Sequence, residues 1–70
     1  MVSIRLVRQS TGAVIAKTEV TVWQGGGYRA TTNDQGIAHF ENVTPGRHTV
    51  YAEGKDLGEH HLEGTTVLYL

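Results

Sequence analysis

Apolar and polar side chains alternate from the start of the sequence, with Val2, Ile4 and Leu6 on one side and Ser3, Arg5 and Val7 on the other. That period of two marks a strand with one buried face. The pattern returns from Glu19, where Val20 and Val22 oppose Thr21 and Trp23, and again over Tyr28–Thr32, Gly36–Phe40 and Arg47–Glu53. In the last of these, His48, Val50 and Ala52 share one side while Thr49 and Tyr51 take the other. A weaker, polar strand is expected around Glu59–Leu62. The β-branched and aromatic run Thr65–Leu70 reads as a strong strand that must lie against a neighbour or serve as an oligomer contact. No window of helical length carries a 3.6-residue apolar period free of glycine, so no helix is expected. About seven short strands, with turn signals every ~8–12 residues, predict an all-β, antiparallel or mixed β-sandwich.

Turn chemistry punctuates these strands. Gln9–Gly12 reads as a turn, and Ala13–Thr18 as a mildly apolar segment crossing between strands. Gln24-Gly25-Gly26-Gly27 reads as a mobile hairpin loop, because glycine loses the most backbone entropy on ordering. Asn33, Asp34 and Gly36 supply the side-chain bonds and the positive φ of a second hairpin turn. In Thr44-Pro45-Gly46-Arg47, Pro45 and Gly46 suit the two central positions of a type II turn, which predicts a third reversal. Gly54–Gly58, with two glycines and two charges, is expected to be a turn as well. The inward positions Val2, Ile4, Leu6, Ile15, Val20, Val22, Ala38, Phe40, Val43, Val50 and Leu68 form the expected core.

Length and charge then narrow the function classes. Residues 1–70 make one domain, and a chain of this size buries only about 60% of the surface it exposes when unfolded, so its stability is expected to be modest. Without cysteine there is neither a disulfide framework nor a thiolate metal site. A net charge of −1 with six scattered Lys and Arg lacks the basic field of a nucleic-acid binder. Charges within the first apolar run argue against a signal peptide or a membrane-inserted span there.

Candidate chemistry is sparse. Four histidines invite a metal reading, but His60 and His61 are adjacent and point to opposite faces of a strand, so no metal site is assigned. The glycine run Gly25–Gly27 is followed by neither a lysine with serine or threonine nor a helix, so no phosphate cradle and no cofactor is expected. Ser3 and Ser10 are the only serines. Neither sits in a nucleophile turn, and Ser3 is expected to be solvated. The carboxylates Glu41, Glu53, Asp56, Glu59 and Glu63 lie mostly in turns or at outward positions. No catalytic residue is assigned, and the protein is read as a non-enzyme. Asn42-Val43-Thr44 has the form of a glycosylation sequon, but Pro45 follows directly and Asn42 reads as a turn residue.

What remains is the outward face. Trp23, Tyr51 and Ile37 lie opposite the core positions of their strands, and large aromatic side chains left in water mark contact surfaces. The expected function is a noncatalytic structural or interaction module that contacts a partner domain or its own copy through these residues. The alternative is a carbohydrate-binding module in which Trp23, Tyr51 and Tyr28, beside the glycine loop, stack on sugar rings, with Gln24, Arg29 or Glu53 bonding hydroxyls.

The order of these signals resembles that of carboxypeptidase regulatory-like domains, the transthyretin- or prealbumin-like β-sandwiches related to the collagen-adhesin B repeats. Nearly the whole chain takes part: a turn at Thr11-Gly12, the crossing Val14-Ile15, the strand with Val20 and Val22, then Thr32, Asn33 and Gly36. Ala38 and Phe40 follow, then Asn42, Val43, Pro45 and Gly46, an alternating strand, a glycine turn and a final apolar strand. Three positions depart from the family pattern: Ala38 replaces a larger residue, His48 a tyrosine and Thr18 an alanine, so a cavity or polar contact is expected near Ala38 and His48. The resemblance implies a prealbumin-like sandwich, a noncatalytic role in packing or protein contact, and an extracellular or cell-surface setting within a larger protein. Some relatives carry an isopeptide bond to an asparagine of the last strand. Thr65–Leu70 has no asparagine, so none is expected here.

Overall fold

A computed structural model describes residues 1–70 as seven strands in two sheets without a helix. The strands are β1 (Val2–Val7), β2 (Glu19–Trp23), β3 (Gly27–Thr31), β4 (Ile37–Phe40), β5 (Gly46–Ala52), β6 (Lys55–Leu62) and β7 (Thr65–Tyr69). One sheet has the order β4-β1-β7, with β4 antiparallel and β7 parallel to β1. The other has the order β3-β2-β5-β6 and is antiparallel throughout. All eleven expected core residues are buried, joined by Ala52 and Leu62. The two inner faces interdigitate through these side chains, each large one contributing about 1.5–3 kcal/mol.

The connections differ from expectation. Neither turn around β4 closes a hairpin, because β3 and β5 lie in one sheet and β4 in the other. Both turns carry the chain across the sandwich instead. The Asn33 turn has the expected chemistry: its Oδ1 accepts from the N–H groups of Gln35 and Ile37 at 2.9 and 3.1 Å. Gly36 there adopts φ +76, and its carbonyl accepts from Leu6 N at 2.8 Å. At the second turn the reversal falls on Glu41-Asn42. Gly46 has φ +147, far from the type II value of about +80°. It opens β5 opposite Leu62.

The true hairpins are β2–β3 and β5–β6. In the first, Gly27 belongs to β3 and only Gln24–Gly26 bridge. Gln24 Oε1 accepts from Thr44 N at 2.9 Å and from Thr44 Oγ1 at 3.0 Å, tying this loop to the β4–β5 connection. In the second, Ala52 pairs with Lys55, so Glu53 and Gly54 alone make the turn, at φ +52 and +73. Two central residues with positive φ are the signature of a type I′ turn. β6 is therefore longer than the expected Glu59–Leu62, and the glycine and charges of Lys55–Gly58 are absorbed by a bulge opposite Val50 and Tyr51.

Two crossing contacts fasten the outer segments. Thr32 is buried; its Oγ1 accepts from Thr18 N at 2.9 Å, and its backbone bonds Lys17 and Thr18. Ile15 N donates to Leu6 O at 3.0 Å, which seats the buried Ile15 against the end of β1.

Candidate interaction face

Trp23 ends β2 and is 55% exposed; Tyr51, on the neighbouring β5, is 39% exposed. The register sets Trp23 opposite Thr49 and Thr21 opposite Tyr51. The two aromatic residues are thus diagonal neighbours on the outer face of the four-stranded sheet, about 7–8 Å apart and within reach of each other's rings. Their inward neighbours Val22 and Val50 are fully buried. This face is as the alternation predicted.

Its surroundings are polar. Thr21 and Arg29 stand opposite each other across β2 and β3, and Glu59 stands opposite Thr49 across β5 and β6. Arg47 Nε lies 3.5 Å from Glu59 Oε1. Both side chains are solvated, so the pair contributes little stability and serves as a charged border. On β3, Gly27 faces Trp23, and a Cβ added there would lie 3.3 Å from Trp23 Cζ3. The benzo part of the indole therefore occupies the space a side chain at Gly27 would take.

The other two expected contact residues do not join this face. Ile37 lies on β4 opposite Arg5, in the three-stranded sheet, half-buried and on the opposite surface of the sandwich. Alternation assigns each residue to an inside or an outside, but two strands of a sandwich have two different outsides. Tyr28 stands opposite the buried Val22 and is itself partly buried against the core. It borders an open cavity with Arg29, His39, Phe40, Glu41 and Val43. A position beside the glycine loop did not place it on the Trp23 side, because residue 28 has the inward parity.

The three-stranded sheet carries apolar surface of its own, in part on the final strand expected to lie against a neighbour or serve as an oligomer contact. Val67 and Tyr69 are 42% and 60% exposed, and Val14 is exposed beside Val7, to which it forms an isolated bridge. The signal was present in the alternation of Val67 and Tyr69 with the buried Leu68.

Ser3 is buried rather than solvated, and its Oγ lies 2.9 Å from His39 Nδ1 across β1 and β4. This contact is a cross-strand hydrogen bond between directly opposed residues. His39 and His48 are on different sheets. His48 instead faces His60 across β5 and β6. Nε2 of His48 meets Thr44 O at 2.9 Å and Nε2 of His60 meets Leu57 O at 2.8 Å. Those carbonyls lie toward opposite ends of the hairpin, so the rings lean apart. The first of these bonds is the polar contact expected near His48.

Residues 1–69 match a family model described as DR_A0283-like, Ig-like domain. No curated protein and no solved structure matches the chain.

Proposed function

The chain belongs to the DR_A0283-like family of Ig-like domains, and on that premise we propose that it is a noncatalytic module contacting a partner domain or its own copy through the outer face of its four-stranded sheet. Membership of an Ig-like family suggests a noncatalytic module, since such sandwiches present surfaces for binding. The observation that carries the reading is the exposed diagonal pair Trp23 and Tyr51 inside a border of threonines and charges. Aromatic anchors surrounded by polar rim groups are the usual composition of a binding hot spot. Ile37 has no part in this contact.

A fluorescence titration tests it, because Trp23 is the only tryptophan. Its emission is expected to be that of a solvated indole in dilute protein and to shift to shorter wavelength when a partner domain or a second copy covers the face. Trp23→Ala should leave the melting curve nearly unchanged. A loss of stability as large as that of a core substitution would make the ring a structural element and overturn the reading.

One observation favours the carbohydrate alternative: Trp23 is flanked by the hydroxyls and guanidinium that a sugar would bond, at Thr21, Thr49 and Arg29. Tyr28, facing inward, drops out of this version, which keeps Trp23 and Tyr51. Saturable quenching of Trp23 by one glycan class, unchanged in Ile37→Ala, supports the sugar reading; indifference to a whole glycan panel rejects it.

We further propose a closer kinship with the carboxypeptidase regulatory-like, prealbumin-like sandwiches, a reading for which a strand order unlike that of constant immunoglobulin domains leaves room. A constant-type immunoglobulin domain places its first, second, fifth and fourth strands in one sheet, whereas here β1 lies with β4 and β7 while β2 and β5 lie opposite. The Thr32-Asn33-Gly36 and Pro45-Gly46 signals both fall at crossings between the sheets, so they accompany that order.

A further inference from the structure

We infer that the free edge of β7 pairs antiparallel with β7 of a second copy of this chain, joining two three-stranded sheets into one. The phase of the β1–β7 ladder exposes the groups required. Gly64 O accepts from Ser3 N, Leu70 N donates to Val7 O and Leu70 O accepts from Gln9 N. Even-numbered residues of β7 therefore bond β1, and by alternation the N–H and C=O of Thr65, Val67 and Tyr69 point away from it, out of the sheet edge.

The four edge strands of the sandwich differ in how they are protected. β6 carries Lys55, Asp56 and Glu59 and is broken by its bulge; β3 carries Arg29 and begins with Gly27; β4 has only four residues. Charges, bulges and shortness are the usual means of keeping edges apart. β7 has none of these over its five residues, Thr-Thr-Val-Leu-Tyr. Its best match among these edges is therefore itself, in the isologous arrangement of a two-fold dimer.

Placing Val67 on the dyad sets Thr65 of each copy opposite Tyr69 of the other, each opposed pair exchanging two hydrogen bonds. No charged residue meets a like charge. The exposed Val67 and Tyr69 side chains come together on one outer face as β-branched and aromatic cross-strand pairs. On the inner side, Thr66 meets Leu68 beside the groove bordered by Leu57 and His60. An edge of this length buries much less than the roughly 800 Å² per partner of a standard interface, so the dimer is weak and concentration-dependent.

Amide exchange and sedimentation across a concentration series test this pairing. In dilute protein the amides of Thr66, Leu68 and Leu70 are protected and those of Val67 and Tyr69 are open; on concentration the latter two become protected as the mass rises toward a dimer. Val67→Lys, which sets two ammonium groups against each other at the dyad, weakens association at least about tenfold while keeping the melting temperature of the dilute protein. Trp23→Ala associates like wild type, which separates this contact from the Trp23 face. Should the lysine variant fail to fold, the exchange pattern of the wild type still decides. A chain that stays monomeric at millimolar concentration, protection of Val67 already present in the monomer, or association that survives Val67→Lys overturns the inference. So does a dimer abolished by Trp23→Ala.

Discussion

Gly36 has the most tightly enclosed site of the glycines. It has φ +76, and a Cβ there would lie 2.9 Å from Val14 Cβ and 3.0 Å from Leu6 O. Gly12 has nearly the same φ, +77, with nothing within 4 Å. Alanine at Gly12 is expected to cost about 1–2 kcal/mol from backbone strain alone. Gly36→Ala adds a clash with the crossing segment and should cost clearly more; equal midpoints in urea for the two variants would show that the close approach has no energetic weight. Phe40, 3% exposed, is the largest side chain in the core, and Phe40→Ala is expected to destabilise by about 3–5 kcal/mol by urea unfolding. Thr32→Val keeps the shape but leaves Thr18 N without its acceptor, a loss of about 1–3 kcal/mol. Burial was legible for most of the core because those residues sit on the apolar side of their own strands, while Ile15 and Val43 are buried from the connections between strands. Thr32 and Ser3 were not legible as buried, since each is enclosed beside a hydrogen-bond partner distant in sequence, Thr18 for the first and His39 for the second.

Among the elements, strands were easier to read than their connections. β1, β2, β4 and β5 follow directly from alternation, whereas the first half of β6 does not, because Gly58 and the charges of Lys55 and Asp56 look like a turn. They lie in a strand because Glu53-Gly54 reverses the chain in two residues and Asp56 Oδ1 takes up Gly58 N at 2.7 Å beside the bulge. That turn holds a testable flaw. Glu53 adopts φ +52, which asparagine tolerates better, and its ion pair with Arg8 at 3.4 Å is exposed and weak. Glu53→Asn is expected to stabilise the hairpin by about 0.5–1 kcal/mol, seen as a rise in the thermal midpoint; a fall would mean that the Arg8 contact outweighs the strain. The Asn33 and Pro45 signals mark reversals, but in the structure these are crossings between sheets and not hairpins. Turn residues specify a local change of direction, and the sheet that receives the next strand depends on packing across the whole sandwich.

For the molecule as a whole, the number of strands, the absence of helix and the buried set were present in the sequence, while strand adjacency was not. That gap explains the contact residues. Trp23 and Tyr51 share a face because β2 neighbours β5, and Ile37 is excluded because β4 joined the other sheet. β7 pairs along nearly all of β1 and contributes the buried Leu68. Deleting Val67–Leu70 should therefore unfold or aggregate the protein, and a truncated chain that melts within a few degrees of the full one would refute that placement. The central claim is that the outer face of the four-stranded sheet is open for contact and not part of the core. Quenching of tryptophan emission by a neutral small quencher in dilute native protein tests it most directly, since all of that emission comes from Trp23. The account predicts a long-wavelength emission maximum and ready quenching, a large fraction of that of the urea-unfolded chain, as suits a ring exposed on one side. A short-wavelength maximum with emission shielded from the quencher would contradict it.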